Sequence, residues 1–210
     1  MSNKLDKSYR TSEIHDYGID IERREIFLQN KEEVDNSGVD HRMSQQFLRN
    51  IRILESMSDE PIKIYMQSIG GCWYSGMGIY DAIKNSPCKT IIVAYNQVES
   101  MSSVILQAAD KRVLMPSCWF MCHYGSTEIS GDYLSSQNWA KIDKINSDIM
   151  VDIYAAKCVK GQYFKDREYG LSQVKSYIKR KMKDGDWYLT PEDAVSFGFA
   201  DNVYSKLLKI

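Results

Sequence analysis

The sequence has no long apolar segment. Its apolar runs, such as 91–95 and 104–106, are only a few residues long, whereas a membrane-spanning helix needs about 18 or more consecutive apolar residues. The first thirty residues are polar and charged where a secretory signal would need an apolar stretch. We therefore expect a cytoplasmic protein with no membrane partner.

Net charge and paired cysteines are also lacking. The 27 Lys and Arg residues nearly balance the 28 Asp and Glu residues, with a formal net charge of -1, so no overall field favours a nucleic acid partner. The five cysteines have neither CxxC spacing nor a nearby histidine cluster, which disfavours a disulfide framework and a zinc site. Cys122 and His123 are neighbours, but adjacent residues on a strand point to opposite faces. We expect reduced cysteines, no Cys–His pair and no bound metal.

The chain length suits one domain. Its 210 residues are enough to bury a core without disulfide or metal staples. Residues 1–22 lack apolar periodicity, so we predict an N-terminal arm there and a single domain over 23–210. A helix with one buried face is predicted at 39–57, because apolar residues recur at spacings of four and three, at Val39, Met43, Phe47, Ile51 and Leu54.

Strand and helix patterns alternate along the first part of the chain. This alternation favours an α/β fold of repeated βαβ units around a mainly parallel sheet. The predicted helices lie at 39–57, at 74–84 and from about 100, and the predicted strands lie at 24–28, 62–66, 89–94, 112–115 and 119–122.

A long helix is predicted over 132–159. So long a helix projects from a compact body, and another subunit has to cover part of its apolar stripe. Further helices are predicted at 172–183 and after Thr190, which suits an N-cap before Pro191, with Gly198 ending the last one. The stripe of the long helix comprises Leu134, Trp139, Ile142, Ile145, Ile149, Ile153 and Tyr154.

Three features of the sequence are candidates for an active site. Ser100 follows a strand and opens a helix, where unpaired N–H groups and the helix dipole favour an oxyanion. Gly70 and Gly71 end the preceding strand, and adjacent glycines let a backbone N–H approach a ligand. Since parallel strands present their carboxyl ends at one edge, the glycines and Ser100 reach the same crevice. His123 ends the strand 119–122. Taken singly, these features also fit an N-cap, a simple turn and a structural histidine.

In this order and spacing, the features resemble the Clp protease proteolytic subunit (ClpP) family. That family has Ser-Pro-Gly-Gly, Gly-Met-x-Ile-Tyr-Asp, Gly-Gln-Ala-Ala-Ser-Met-Gly and Met-Ile-His. The matching segments here are 68–71, 76–81, 96–102 and 121–123, with no gap needed between the glycines and the serine. The family's C-terminal Leu-Ser-x-x-Glu-Ala-x-x-x-Gly-x-x-Asp is matched over 189–201.

The resemblance implies a serine endopeptidase of the ClpP/crotonase-like fold that needs no cofactor. Ser100 matches the family's nucleophile, His123 its general base, and the backbone N–H groups of Gly71 and Met101 its oxyanion hole. Family members stack two heptameric rings around a chamber, and a Clp-type ATPase unfoldase normally feeds them polypeptide substrates. By the same resemblance, this chain forms a homo-oligomer and the long helix from Asp132 is the handle between subunits.

The third triad residue is less clear from the resemblance. The family's aspartate aligns without gaps to Met182, and Asp184 and Asp186 lie two and four residues further on. We predict that Asp186 takes this role, with Asp184 as the alternative, although 184–186 also fits a simple turn. The chain departs from the family pattern at four positions around the site. Ile69 replaces the proline before the glycines, and Glu99 replaces the small residue before the nucleophile. Ser102 replaces the glycine two residues after the nucleophile, and Gly125 replaces the proline two residues beyond the histidine.

Three other functions remain open from the sequence. Met182 and Glu99 favour a catalytically weak or silent ring subunit, which the Ser100–His123 pair opposes. The N-terminal arm and the displaced acid favour a phage-type maturation protease of the same fold. An acyl-CoA hydratase or isomerase among the crotonase relatives would share the Gly-Gly geometry but needs no Ser–His pair.

Overall fold

One sheet forms the framework of the chain. The structure, a computed structural model, describes residues 9–29, 38–126 and 131–207. The strands are β1 (Ile19–Asp20), β2 (Glu25–Leu28), β3 (Ile62–Ser68), β4 (Thr90–Glu99), β5 (Lys111–Leu114), β6 (Trp119–Cys122), β7 (Trp187–Leu189) and β8 (Asn202–Val203). The helices are α1 (His41–Met57), α2 (Trp73–Lys84), α3 (Met101–Leu106), α4 (Tyr133–Cys158), α5 (Gln162–Lys165), α6 (Leu171–Lys183) and α7 (Pro191–Phe197).

Most neighbouring strands run parallel. The order is β1-β2-β3-β4-β5-β8, and every pair on this path is parallel except β1 with β2. Helices α1, α2 and α3 each connect one strand to its parallel neighbour, which is the crossover of a βαβ unit. The predicted α/β fold with a mainly parallel sheet is therefore confirmed.

Strand β4 is longer than predicted, and its two halves pair with different strands. Its first half, up to Ala94, pairs with β3 and β5, and its second half pairs with β6 through residues 97–99. Between the halves, Asn96 has a φ of 54°, and the register against β3 shifts. An irregularity of this kind bends a strand. The bend carries the end of β4 away from β5 and onto β6.

The predicted apolar face of α1 forms part of the core. Its residues Met43, Phe47, Ile51 and Leu54 are all buried, as their helical spacing predicts. The helix begins where the Asp40 carboxylate accepts a hydrogen bond from the N–H of Met43 at 2.8 Å. The predicted cap of α7 is also present, since Thr190 Oγ accepts from the N–H of Asp193 at 3.2 Å.

The N-terminal residues contribute to the sheet, which the sequence analysis did not predict. A π-helical turn (Glu13–Tyr17) precedes β1, which pairs antiparallel with β2. Ile19 and Asp20 are buried, and Arg10 forms an ion pair with Asp20 at 2.7 Å. A strand of two residues is too short to show periodicity, so this pairing left no sequence signal. Residues 1–8 of the predicted arm lie outside the described residues, and the domain boundary at 23 remains a prediction.

Helix α4 matches the predicted long helix. Asp132 caps its first turn by accepting a hydrogen bond from the N–H of Ser135 at 2.9 Å. Only its last third, from Met150 onward, packs into the core. The apolar residues before that point are exposed: Tyr133, Leu134, Trp139, Ile142, Ile145 and Ile149. Among the described residues, neither α4 nor any other helix is long and apolar enough to cross a membrane.

Aromatic side chains pack together around α6, β7 and α7. Trp187 of β7 lies 5.1 Å from the ring of Phe197 and 5.9 Å from that of Tyr177, centroid to centroid. Aromatic pairs at these separations stabilise a fold beyond their buried area. This packing fixes β7, which immediately follows the two candidate aspartates.

Candidate active site

Ser100 lies in a sharp turn between β4 and α3. Its φ of 50° and ψ of -125° fall outside the usual regions for a residue with a side chain, a conformation that costs about 1–3 kcal/mol. Hydrogen bonds hold the turn: the Ser100 N–H donates to the Met121 carbonyl at 2.9 Å, and Ser103 donates to the Ser100 carbonyl through its N–H and its Oγ. The turn directs the Ser100 side chain into a cleft at the edge of the sheet.

Two glycines make room for this turn. Gly70 has a φ of 95°, and a Cβ on it would lie 2.5 Å from Ser100 Cβ and 2.8 Å from Met101 N. Gly71 forms a parallel bridge with Val39, in which Val39 N–H donates to Gly70 and Cys72 N–H donates to Val39. In such a bridge the N–H of Gly71 itself points away from Val39, because Val39 bonds only to the residues on either side of Gly71. The prediction that the glycines and Ser100 share one crevice is confirmed.

His123 connects Ser100 to an acid. Its Nε2 lies 2.8 Å from Ser100 Oγ, and its Nδ1 lies 2.9 Å from Asp186 Oδ1. The pairing of β6 with β7 explains the second contact, because Cys122 lies opposite Trp187 and the residues beyond that pair are His123 and Asp186. As predicted, Cys122 faces the core, where burial raises the pKa of its thiol, while His123 faces the cleft.

The fold separates the two candidate aspartates. Asp184 follows the last residue of α6, and its N–H donates to the Arg180 carbonyl at 3.3 Å. Gly185 then turns the chain with a φ of 125°, which brings Asp186 to His123. Met182, the residue aligned with the family's acid, is buried on the core face of α6. Of the two predicted candidates, Asp186 is therefore the one that contacts the histidine.

The cleft at Ser100 has a volume of about 250 Å³. Besides Gly71, Ser100, Met101 and His123, its lining includes Ser126. Sequence reasoning missed two other groups of lining residues, from α2 and α4: Trp73, Asp143, Asn146, Ser147 and Met150. Nothing local in the sequence marks them, because only the packing of these helices brings them to the cleft.

Two serines behind the nucleophile support the turn. Ser102, which replaces the family's glycine, is buried; its Oγ accepts from the Glu99 N–H at 2.9 Å and lies 2.7 Å from the Ser68 carbonyl oxygen. Ser103 Oγ lies 2.7 Å from the hydroxyl of Tyr154, a buried residue of α4. These contacts satisfy the buried hydroxyls and tie the start of α3 to β3 and α4.

The charges around the site include one more carboxylate. Burial and the negative charge of Asp186 raise the pKa of Glu99, an effect that His123 partly offsets. Glu99 itself is the main cause of the raised pKa of Tyr188. Glu99 therefore lies within electrostatic reach of the Asp186–His123 pair.

Comparisons with known proteins agree on one family. The family model described as Clp protease matches residues 14–207. An ATP-dependent Clp protease proteolytic subunit from Deinococcus radiodurans is 31% identical over 170 residues, which cover 79% of this chain and 76% of the relative. Proteolytic subunit 2 from Pseudomonas aeruginosa is 28% identical over 169 residues, covering 79% of this chain and 77% of the relative.

A solved structure shares the fold. A ClpP1 mutant from Listeria monocytogenes superposes with a TM-score of 0.71 at 21% sequence identity, covering 89% of this chain and 94% of the other. The described elements therefore form a mixed α/β fold of the ClpP kind.

Proposed function

The chain belongs to the Clp protease family of serine peptidases, and from this premise we propose that it is a catalytically active serine endopeptidase that cleaves polypeptides. The observation that carries the proposal is the hydrogen-bonded line from Ser100 Oγ through the His123 ring to Asp186 Oδ1, with distances of 2.8 and 2.9 Å. A nucleophile, a base and an orienting acid in this order are the geometric requirement for acyl transfer.

Each group has a role in the proposed reaction. His123 Nε2 takes the hydroxyl proton as Ser100 attacks the peptide carbonyl carbon, and the imidazolium then gives this proton to the leaving amine. Asp186 accepts from Nδ1–H and stabilises the imidazolium. The N–H groups of Gly71 and Met101 stabilise the oxyanion. A water molecule, deprotonated by His123, then hydrolyses the acyl-enzyme and restores the Ser100 hydroxyl.

The exposed stripe of α4 supports an oligomeric assembly. With 26 residues, α4 is about 39 Å long at 1.5 Å per residue. The exposed apolar residues occupy its first two thirds, from Tyr133 to Ile149, and an apolar surface of this kind favours burial against another subunit. We propose that copies of this chain cover the stripe of α4 in a heptameric ring or a double ring, and that a Clp-type ATPase unfoldase delivers substrates to it.

A silent ring subunit is the main alternative. Such a subunit has no need for the strained Ser100 turn, the glycine at 70 or the contact between His123 and Asp186. Their joint presence therefore favours an active enzyme.

Covalent labelling tests the proposal. A serine-directed phosphonate should add one adduct per chain, measured by intact mass, and Ser100→Ala should abolish both labelling and cleavage of a fluorogenic peptide. Ser126→Ala is the matched control, since Ser126 lines the same cleft but has no proposed role. Undiminished labelling of Ser100→Ala, or no labelling of the parent chain, would contradict the proposal.

A further inference from the structure

The strand register places Glu99 beside the proposed catalytic pair. Glu99 of β4 pairs with Met121 of β6, and Met121 pairs with Tyr188 of β7. Paired residues on neighbouring strands share a face of the sheet, and so do residues two apart on one strand. His123 lies two residues beyond Met121, just past the end of β6, and Asp186 lies two residues before Tyr188, just before the antiparallel strand β7. Glu99, His123 and Asp186 therefore lie on one face, in adjacent rows.

Glu99 has a fixed backbone and an unpaired carboxylate. Ser102 Oγ accepts from its N–H at 2.9 Å and lies 2.6 Å from its carbonyl oxygen. Over residues 9–29, 38–126 and 131–207, by contrast, no hydrogen bond or ion pair holds the side-chain carboxylate. Burial and the charge of Asp186 both disfavour its ionised form. Titratable groups whose charged form the fold disfavours are concentrated at functional sites.

Four titratable groups surround Glu99, and one of them can carry the positive charge that would attract its carboxylate. Tyr188 faces it from β7 and Asp186 precedes β7, while His123 follows β6 and the Cys118 thiol precedes β6. Burial, with a smaller effect from Glu99, raises the pKa of Cys118 to about 12, so this thiol stays neutral. Of these four groups, only His123 becomes positively charged.

We propose that Glu99 is a positioning residue whose carboxylate, together with that of Asp186, stabilises the imidazolium that forms on His123 when Ser100 attacks the substrate. The inference rests on the proposed function. It assigns a role to a residue at which this chain departs from the small residue of the family pattern.

The effect acts through space, so its size follows from the distance. Rows two residues apart are about 6.8 Å apart along a strand, and strands are about 4.8 Å apart, giving roughly 8 Å between the backbones of Glu99 and His123. At this distance, with an effective dielectric constant of roughly 40 to 80, one charge shifts a titration by about half a pH unit.

The test is the pH profile of phosphonate labelling for the parent and for Glu99→Gln. In the variant, the fall of the labelling rate at low pH should occur about half a pH unit lower than in the parent. The maximum labelling rate at higher pH should fall by about twofold, and the melting temperature should be unchanged or higher. Because the effect is electrostatic, the difference should shrink at 1 M salt, where charges are screened within about 3 Å. Glu99→Asp should keep most of the parent profile. Glu60→Gln is the control: Glu60 precedes the start of β3, whereas Glu99 lies at the end of β4. The Glu60→Gln profile should match that of the parent.

Other outcomes separate this inference from the proposed function. If the parent chain is not labelled at any pH, both fall together. If labelling depends on Ser100 but the parent and Glu99→Gln profiles coincide, only the role of Glu99 is overturned. A salt-independent loss of rate with a lower melting temperature would instead identify Glu99 as structural and overturn its proposed role.

Discussion

Asp186→Asn is the most direct test of the orienting acid. The substitution keeps the size of the side chain but removes the charge 2.9 Å from His123 Nδ1. It acts in two ways: the imidazolium loses its counter-charge, and an amide N–H donated to Nδ1 favours the tautomer in which Nε2 carries the proton. In that tautomer, His123 cannot accept the proton of Ser100.

The expected loss is large but smaller than for a buried acid. Removing the carboxylate of a buried triad lowers turnover by about 10⁴, or roughly 5.5 kcal/mol at 1.36 kcal/mol per tenfold change. The Asp186 side chain is 53% exposed, so solvent screens part of its charge. We expect a loss of about 10² to 10³ in kcat, or roughly 3 to 4 kcal/mol, with little change in KM.

Asp184→Asn is the matched control in the same assay. Both aspartates are exposed, so both variants should melt close to the parent. In a fluorogenic peptide assay Asp184→Asn should stay within about twofold of the parent, since Asp184 only follows the end of α6. Equal losses in the two variants, or full activity in Asp186→Asn, would refute the assignment. His123 would then be oriented by a water or a backbone carbonyl.

Three further predictions concern the turn, the assembly and the half-buried charge of Lys157. Gly70→Ala should abolish labelling of Ser100 and destabilise the fold by about 2 to 4 kcal/mol in urea unfolding, because the added Cβ meets the nucleophile at a positive φ. Ile142→Glu should shift light scattering to smaller species, whereas the exposed Lys141→Glu should not; an unchanged assembly in both would contradict burial of the α4 stripe. Burial lowers the pKa of Lys157 to about 8 from 10.5, so its protonated form is favoured in the unfolded chain and its contribution to stability rises with pH between these values. Lys157→Met should remove this rise, and an identical pH dependence in the variant and the parent would contradict it.

Local patterns determined much of the fold. The four-and-three spacing on α1 predicted its buried face, and the β-favouring runs predicted β2 to β6, because each pattern lies within one element. The cap of α7 was visible for the same reason. Ser100, His123 and the glycine pair were identified because they stand at the ends of strands, whose order in a parallel sheet brings those ends together.

Only the tertiary structure decided the features that depend on distant segments. Asp184 and Asp186 have the same chemistry and differ by two positions, and the choice between them follows from the register of β7 against β6, whose contact joins residues 63 positions apart. The register of β4 against β6 places Glu99 beside that pair, while the packing of α4 brings Asn146 and Ser147 to the cleft. The pairing of β1 with β2 was likewise invisible, because two residues show no periodicity. A sequence records which residues favour a strand or a helix, but the register between strands depends on how the whole core packs.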